Sequence, residues 1–311
     1  MKEPIIFPLP STRAEWLALR QTGIGGSDVA PILGLSPWRS PYQVWEDKTG
    51  RGEDQPESPA LYWGRLLEDP IRQAYADRTG LTVVKPECMY SSAEHPFMHA
   101  NLDGIASDGR IVEFKTSSRD DAWGEEGTDE IPEYYMTQVQ HYLYVMGATR
   151  ADVAVLFQGR DFRIYTVEAD PELQSMLIDA ESRFWALVKT DTPPEVETAG
   201  DASRRWSKAT AKKTVDADAA LLEAWQELCA IRSQMDGLKS REDALKATLM
   251  NGMQDAVSLK AAGKTLASWS LPSARKSVDT ARLKKVFPQV YEQVVKVSEP
   301  QRMFRVYPPK E

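Results

Sequence analysis

Asp103, Glu113 and Lys115 are the residues whose types and spacing are best suited to chemistry in this sequence. They lie in the stretch HANLDGIASDGRIVEFKTS (99–117), where SDGR predicts the turn of a β-hairpin. Residues two apart in a strand share a face, so Glu113 and Lys115 point the same way, and Asp103 could meet them across the hairpin. Two carboxylates at short range repel each other unless a cation lies between them. Because hard oxygen ligands suit Mg²⁺ or Mn²⁺, the pattern indicates a site for one of these ions.

Such a site would hydrolyse a phosphodiester, with Lys115 orienting or deprotonating the attacking water. A plainer interpretation stays open from the residues alone, because an acid-x-Lys triplet is common by chance and hairpin charges are usually solvated. The spacing of Asp103 and the apolar strand GRIVEFKTS (109–117) favour the catalytic interpretation.

The elements that must position these residues alternate between helix and strand. Apolar periodicity with Pro and Gly stops predicts the helices, and β-branched runs bounded by turn residues predict the strands. The predicted helices cover 27–33, 41–50, 58–80, 132–147 and 171–189, and the predicted strands cover 81–91, 98–107, 110–117, 152–159 and 161–170. This order predicts an α/β domain over 1–190.

The C-terminal third has a different pattern. Pro, Gly and small polar residues over 191–215 predict a linker. Apolar residues from Leu221 to Met253 recur at helical intervals, which predicts a long amphipathic helix or a helical hairpin broken at Gly237. A β-hairpin (257–271), a helix perturbed by Pro288 (278–297) and a strand (302–308) are predicted to follow. Residues 216–311 are therefore predicted to form a helical plus small α+β module.

The charge of the chain is unevenly distributed. Residues 1–199 carry 18 Lys and Arg against 33 Asp and Glu, and residues 200–311 carry 20 against 13, giving balances of −15 and +7. The basic stretches 203–215 and 273–285 are candidate DNA contacts, with a merely solvated surface as the alternative. The two cysteines are too few for a disulfide framework or a four-cysteine cluster, and no apolar run is long enough to span a membrane. We therefore expect a soluble, cytoplasmic protein.

Asp103 followed by Glu113-Phe114-Lys115 resembles the Asp…Glu-x-Lys signature of the PD-(D/E)XK nuclease superfamily. Three flanking segments are similar to motifs of one branch, the lambda exonuclease and YqaJ-like viral recombinase family. They are EWLALRQTGIGGSDVAPILGLSPWRSPYQVWEDKTG (15–50), YWGRLLEDPIRQAY (62–75) and YYMTQVQHYLYV (134–145). The sequence departs from the signature at Leu102, which occupies the proline position. The resemblance implies a PD-(D/E)XK restriction-endonuclease-like core, a central mixed sheet flanked by helices, with a C-terminal α+β appendage.

The resemblance assigns a metal site to four residues. Asp103 and Glu113 would bind Mg²⁺, with Mn²⁺ as a substitute, together with the backbone carbonyl of Phe114. Glu68 would bind the ion directly or through water, and Lys115 would position the attacking water. From the residues alone, a solvated charge on its helix is the alternative for Glu68.

The resemblance also assigns residues to DNA. Gln138, one turn from Tyr135 on the same helix face, would contact the water or the scissile phosphate, and Tyr135 would lie beside the DNA. Arg20 and Ser27 would form a pocket for a 5′-phosphate, helped by backbone N–H groups of GIGGSD (23–28) at a helix start. Ser27 could also be a simple N-cap.

Several other polar and aromatic residues are interpreted as structural. A lone histidine is more often a packing residue than a metal ligand, and a helical residue two positions from Gln138 should face away from it. The residues in this group are His99, His141, Gln140 and the tryptophans Trp38, Trp45 and Trp63, which we expect to pack against helices rather than to stack on bases.

The function implied by the resemblance is a metal-dependent exonuclease that digests one strand of linear duplex DNA from the 5′ end. The family does this for phage recombination as a ring-shaped homotrimer, and a single-strand annealing protein is the expected partner for its 3′ overhangs. The expected setting is the cytoplasm of a bacterium, with the gene carried by a phage or prophage. A structure-specific endonuclease of the same superfamily and a non-catalytic DNA-binding scaffold are the alternatives.

Overall fold

Two sheets and their flanking helices form the part of the chain that carries Asp103, Glu113 and Lys115. The computed structural model describes residues 3–52, 58–298 and 302–307, and the chain divides into two units, Met1–Arg205 and Trp206–Glu311. The strands of the first unit are β1 (Ile5–Pro8), β2 (Ile24–Gly25), β3 (Val83–Val84), β4 (Cys88–Ser91), β5 (Met98–Ala100), β6 (Gly104–Ala106), β7 (Ile111–Ser117), β8 (Arg150–Phe157) and β9 (Asp161–Glu168). Its helices are α1 (Arg13–Gln21), α2 (Gly26–Ile32), α3 (Pro41–Lys48), α4 (Pro59–Thr79), α5 (Glu133–Met146), α6 (Pro171–Lys189) and α7 (Ala199–Arg205).

A mixed sheet in the order β3-β6-β7-β8-β9 forms the centre of the first unit. β7 and β8 run parallel and are joined through α5, whereas the other neighbouring strands run antiparallel. Phe114 packs with Tyr75 of α4 on one side of the sheet, and Ile111 packs with residues of α5 on the other. Glu113 and Lys115 share the side of Ile111, because side chains alternate along a strand. The predicted α/β fold, a mixed sheet flanked by helices, is confirmed.

A second sheet has the order β1-β4-β5-β2. The strands predicted over 81–91 and 98–107 are each divided into two short strands, one in each sheet, so the prediction of two unbroken strands is wrong. Pro86, which has no N–H to donate to a ladder, lies between β3 and β4. Asp103 lies between β5 and β6, where the chain passes from one sheet to the other.

The two helices that cover β7 begin and end at the residues that the sequence indicates. Ser58 caps α4 by accepting a hydrogen bond from the Leu61 N–H at 3.2 Å, and α4 ends at Gly80, whose φ of 73° favours glycine. α5 starts after Pro132 and ends at Gly147, whose φ is 62°. These helix boundaries are confirmed.

A short helix occupies part of the segment 191–215, for which composition predicts a linker. Asp201 of this helix, α7, is buried, and its Oδ1 accepts a hydrogen bond from the Ser40 hydroxyl at 2.8 Å. The first unit accordingly extends to Arg205. Thr198 caps this helix by accepting a hydrogen bond from the Asp201 N–H at 3.0 Å, and the contact with Ser40, distant in sequence, holds it against the first unit.

The second unit begins with one long helix and continues with smaller elements. They are α8 (Ala219–Met253), β10 (Ser258–Ala261), β11 (Lys264–Ser268), α9 (Thr280–Val286) and α10 (Pro288–Val294). α8 runs unbroken through Gly237, so the alternative of a helical hairpin is wrong. β10 and β11 form the predicted hairpin, and Pro288 starts a new helix. The strand predicted over 302–308 does not form in 302–307, and residue 308 lies outside the described residues.

Apolar side chains on α8 are widely exposed, among them Met235, Leu238 and Leu245. Among the described residues, no helix is both long and apolar enough to cross a membrane.

Candidate active site and neighbouring pocket

β7 brings Glu113 and Lys115 together on the side of the sheet that faces α5. Lys115 Nζ donates to Glu113 Oε1 at 2.5 Å and to Gln138 Oε1 at 3.2 Å. It also lies 4.9 Å from the centre of the Tyr135 ring, within the range of a cation–π contact. Glu113 is only 3% exposed. Lys115 is therefore held by a carboxylate, an amide and an aromatic ring, and its position is tightly defined.

Asp103 joins this pair through the backbone of Phe114. The Phe114 N–H donates to Asp103 Oδ2 at 3.0 Å. The carboxylate reaches β7 because Asp103 lies where the chain crosses between the two sheets, rather than inside a strand. We call Asp103, Glu113 and Lys115 the carboxylate–lysine cluster.

The pKa values of both carboxyl groups in the cluster are raised, because both groups are buried and lie close to other negative charges. Burial and the neighbouring Asp103 raise the pKa of Glu113 to about 7, against the opposing effect of Lys115. Burial also raises the pKa of Asp103, although Lys115 and the Phe114 N–H act in the other direction. Burial would lower the pKa of Lys115, but the two carboxylates outweigh it and raise that pKa. The site thus has an excess of carboxylate that one ammonium group does not fully compensate.

Glu68 of α4 is electrostatically close to the cluster. Its charge contributes to the raised pKa of both Asp103 and Glu113. Its own side chain is paired with Lys85, with Nζ and Oε2 2.6 Å apart. The family resemblance predicts Glu68 at this site, but the sequence gives no indication of Lys85, which lies in the break between β3 and β4.

The donor atoms of the cluster fit a hard divalent cation. Glu113 Oε2 is buried and has no hydrogen-bond partner among the described residues, although a buried carboxylate oxygen normally has one. A cation beside it would satisfy this oxygen and relieve the repulsion between Glu113 and Asp103. Within the described ranges, no three His, Cys, Asp or Glu side chains form a ready-made metal cage. The ligand set would therefore have to include other oxygen donors, such as the Phe114 carbonyl expected from the sequence.

Gln138 connects the cluster to α5. Its Nε2 donates to Glu113 Oε1 at 2.7 Å and to the Tyr142 hydroxyl at 3.1 Å. Gln138 and Tyr142 are four residues apart, so they lie one above the other on the same helix face. Tyr135 lies on this face too, one turn before Gln138, in contact with Lys115.

A pocket of about 130 Å³ is lined in part by Tyr142, and we call it the α2 pocket. Arg20 and Ser27, both predicted to bind a 5′-phosphate, line it together with Lys48, Asn101 and Tyr142. Ser27 is exposed, near the start of α2, so its hydroxyl is accessible to a ligand.

Asp28 organises the cations around the α2 pocket. This fully buried carboxylate lies 2.6 Å from Lys48 Nζ, 3.2 Å from an Arg39 nitrogen and 3.4 Å from an Arg20 nitrogen. Burial would raise the pKa of Asp28, but the three cations outweigh burial and hold that pKa well below its usual range. The Lys48 ammonium also donates to the Arg20 carbonyl oxygen at 2.9 Å. One ionised carboxylate thus holds three positive side chains in place.

Sequence reasoning missed Asp28, Lys48 and Tyr142. The signal for Lys48 is present in α3, where it follows Val44 by four residues and so falls on the buried face. A lysine on such a face needs a buried acidic partner. Asp28, which directly follows Ser27, is that partner.

The residues interpreted as structural have structural partners, with one group of exceptions. Gln140 bonds to backbone groups of Glu168 and Asp170, and His141 lies between Glu181 and the His99 carbonyl oxygen at 2.9 Å from each. His99 itself lines the α2 pocket.

The exceptions are two of the tryptophans. Trp45 is buried as expected, whereas Trp38 is 67% exposed and Trp63 is 57% exposed, so neither of these two is a core residue. Helical periodicity could not place Trp38, because it lies in the loop between α2 and α3.

The central mixed sheet, with an Asp…Glu-x-Lys cluster on and beside β7, defines a protein of the PD-(D/E)XK nuclease fold. Residues 15–149 match the YqaJ-like viral recombinase domain. The chain is 36% identical over 296 residues to the uncharacterised protein YqaJ of Bacillus subtilis (strain 168), covering 92% of this chain and 91% of that protein. The chain therefore belongs to the YqaJ-like viral recombinase family.

Solved exonuclease structures resemble part of this chain more distantly. The alkaline exonuclease LHK-Exo of Laribacter hongkongensis is 20% identical, with a TM-score of 0.47, covering 57% of this chain and 93% of that chain. A phage-related exonuclease from Haemophilus somnus 129PT is 15% identical, with a TM-score of 0.42, covering 57% of this chain and 99% of that chain.

Proposed function

We propose that this protein is a metal-dependent DNA exonuclease that hydrolyses one strand of linear duplex DNA from its 5′ end and leaves 3′ single-stranded overhangs. The observation that carries the proposal is the connection between two sites. The carboxylate–lysine cluster is joined through Gln138 and Tyr142 to a pocket lined by Arg20 and Lys48. A hydrolytic centre beside a small cationic pocket suits a strand that is held by a terminal phosphate.

The metal would be held by Asp103, Glu113 and the Phe114 carbonyl, with Glu68 directly or through water. When bound, Mg²⁺ would supply positive charge that stabilises the charge developing on the phosphodiester, and Mn²⁺ could substitute for it. The unpartnered Glu113 Oε2 and the raised pKa values of both carboxylates support this assignment.

Lys115 and Gln138 would position the attacking water. Lys115 is fixed by Glu113 and by the Tyr135 ring, and Gln138 has an amide that already bonds to the same carboxylate. The raised pKa of Lys115 keeps it cationic, so it acts here as a hydrogen-bond donor that orients the water. Tyr135 would shield this side of the site next to the DNA.

Arg20 and Ser27 would hold the 5′-phosphate, with Lys48 as a further cation in the same pocket. Charge-assisted bonds to phosphate are strong, and Asp28 fixes the cations before the substrate arrives. The acidic balance of the first unit is compatible with this, because the local field is set by the placed cations and the metal.

The family resemblance adds the setting of the proposed reaction. It supports a homotrimer acting on double-stranded DNA ends, which would pass its single-stranded product to an annealing protein. The proposed location is the bacterial cytoplasm, during recombination of a phage or prophage.

Digestion of linear duplexes labelled at either end, with and without a 5′-phosphate, tests the proposal. With Mg²⁺ we expect loss of the 5′ label first, faster digestion of phosphorylated ends, no cleavage of closed circular duplex, and no activity when the metal is chelated. Cleavage of the circular duplex would instead indicate a structure-specific endonuclease. A protein that binds these duplexes but never cuts them with Mg²⁺ or Mn²⁺ would be a DNA-binding scaffold.

A further inference from the structure

Trp38 lies in the loop between α2 and α3. The Ser36 hydroxyl accepts hydrogen bonds from the backbone N–H groups of Trp38 and Arg39, at 3.2 and 3.3 Å. The Arg39 side chain, one residue further on, is bonded to Asp28 at 3.2 Å. The Ser36 hydroxyl therefore fixes the turn that contains Trp38, and Arg39 anchors this turn to the carboxylate that holds the pocket cations.

A line of aromatic rings connects Trp38 to the cluster. The Trp38 and Tyr134 rings are 5.0 Å apart at an interplanar angle of 83°, and the Tyr134 and Tyr135 rings are 4.4 Å apart. The Tyr135 ring in turn contacts Lys115 Nζ. Although it belongs to this line, Trp38 keeps 67% of its surface exposed. An exposed tryptophan on an anchored loop has a low entropic cost when a flat partner stacks on it.

We propose that Trp38, supported by Tyr134, is a stacking platform for a nucleobase of the strand whose 5′ end occupies the α2 pocket. Every nucleobase has a π-face, so a tryptophan can bind single-stranded DNA without regard to its sequence. A base stacked on Trp38 has left the duplex, which separates the strand to be cut from its complement. This inference rests on the proposed function in one respect, that the stacked base belongs to the strand being digested. Stacking itself does not require cleavage.

The probe is a set of single-stranded DNAs with a 5′-phosphate, each carrying the fluorescent base 2-aminopurine at a different nucleotide near that end. Binding is measured with the full-length protein and with divalent ions chelated. We expect quenching of the fluorescence at one position in the wild type, and loss of that quenching in Trp38→Ala. Affinity should fall by roughly fivefold to a hundredfold, the usual effect of removing a base-stacking aromatic. Trp38→Tyr should retain part of both signals. Trp63→Ala removes a similarly exposed tryptophan from outside this line of rings and should leave both signals unchanged.

An abasic nucleotide at the quenched position separates stacking from a general loss of structure. In the wild type the abasic site should weaken binding, whereas in Trp38→Ala it should have no further effect. If the abasic site weakened binding to both proteins equally, Trp38 would not contact that base and the inference would be overturned. The two proposals fail separately. If the protein quenched 2-aminopurine at one position but never cleaved DNA, the stacking proposal would hold and the exonuclease proposal would be wrong. If it cleaved DNA from the 5′ end and Trp38→Ala had no effect, the exonuclease proposal would hold and the stacking proposal would be wrong.

Discussion

Glu113 carries a buried charge at an energetic cost, since burial and Asp103 raise its pKa to about 7. A bound cation would compensate the negative charge of Glu113 and so stabilise the folded protein. This stabilisation can be measured separately from activity. Mg²⁺ should raise the melting temperature of the wild type, because a ligand that binds the folded state at a hundredfold excess over its Kd stabilises it by about 2.7 kcal/mol. Glu113→Gln keeps the shape but loses the charge, so it should fold, gain little from Mg²⁺ and lose cleavage by orders of magnitude.

Lys115→Ala is the matched variant, because it removes the amine and leaves both carboxylates. Its cleavage rate should fall as severely as that of Glu113→Gln, yet Mg²⁺ should still raise its melting temperature. Calorimetry with and without the ion, together with a cleavage assay, checks both variants. Near-normal cleavage by either one would show that its residue has been assigned wrongly, and a lost Mg²⁺ response in Lys115→Ala would make the lysine a structural part of the metal site.

Arg20 should distinguish phosphorylated from hydroxyl ends. Charge-assisted hydrogen bonds contribute about 1.5–3 kcal/mol, so Arg20→Ala should reduce the preference for 5′-phosphate by roughly tenfold to a hundredfold. Digestion rates on the two kinds of end give the preference directly. Arg51→Ala is the control, because Arg51 pairs with Asp191 at 2.6 Å and is absent from the lining of the α2 pocket. An equal fall in rate on both ends in Arg20→Ala would indicate that Arg20 supports packing, for instance through its contact with Trp16.

At the scale of elements, the close contact of α2 with α5 keeps the pocket beside the cluster. A Cβ on Gly26 would lie 2.5 Å from the Tyr142 ring and 3.1 Å from Gln138 Cγ, so both side chains would have to shift. Gly26→Ala should therefore destabilise the protein by about 1–3 kcal/mol and slow cleavage as well, measured by thermal unfolding and by rate.

Gly25→Ala is the control, because a Cβ there would meet its nearest neighbour, Asp28 Oδ2, at 3.7 Å. It should unfold at nearly the wild-type temperature. A Gly26→Ala protein as stable as Gly25→Ala and as active as the wild type would mean that α2 and α5 can move apart without consequence, and the proposed coupling of the two sites would lose its basis.

The elements that local chemistry determines are the ones that the sequence predicts well. Ser58 and Gly80 mark the ends of α4, and the alternation along β7 places Glu113 and Lys115 on one side. The strand breaks are not predictable in this way, because they depend on which of two sheets offers the next partner. Asp28 was missed for a similar reason, since its cations come from α1, the loop before α3 and α3 itself. The exposure of Trp38 depends on tertiary structure, which periodicity does not report.

At the scale of the whole molecule, the boundary between the units separates opposite charges. Residues 1–205 carry 20 Lys and Arg against 34 Asp and Glu, a balance of −14, whereas residues 206–311 carry 18 against 12, a balance of +6. A basic unit attached to the acidic unit that carries the candidate active site is well suited to duplex binding.

A protein ending at Arg205 should keep its active site but bind duplex DNA more weakly and with a shallower salt dependence. The slope of the logarithm of affinity against the logarithm of salt concentration becomes shallower by about 0.9 for each phosphate that the protein no longer neutralises. The end point at Arg205 retains the hydrogen bond between Asp201 and Ser40, which a cut at residue 199 would remove. Titrations at several salt concentrations measure affinity and slope together. If the shortened, folded protein showed an unchanged affinity and slope, the basic unit would serve assembly or partner binding instead.

The bond between Gln138 and Tyr142 spans one turn of α5, with the cluster at one end and the α2 pocket at the other. The main-chain hydrogen bonds of a helix fix that turn at about 5.4 Å. In the proposed reaction, the distance between the 5′-phosphate and the phosphodiester bond that is cut would thus be fixed by a rigid helix rather than by a flexible loop. Every fragment released should then have the same length, whatever bases it carries.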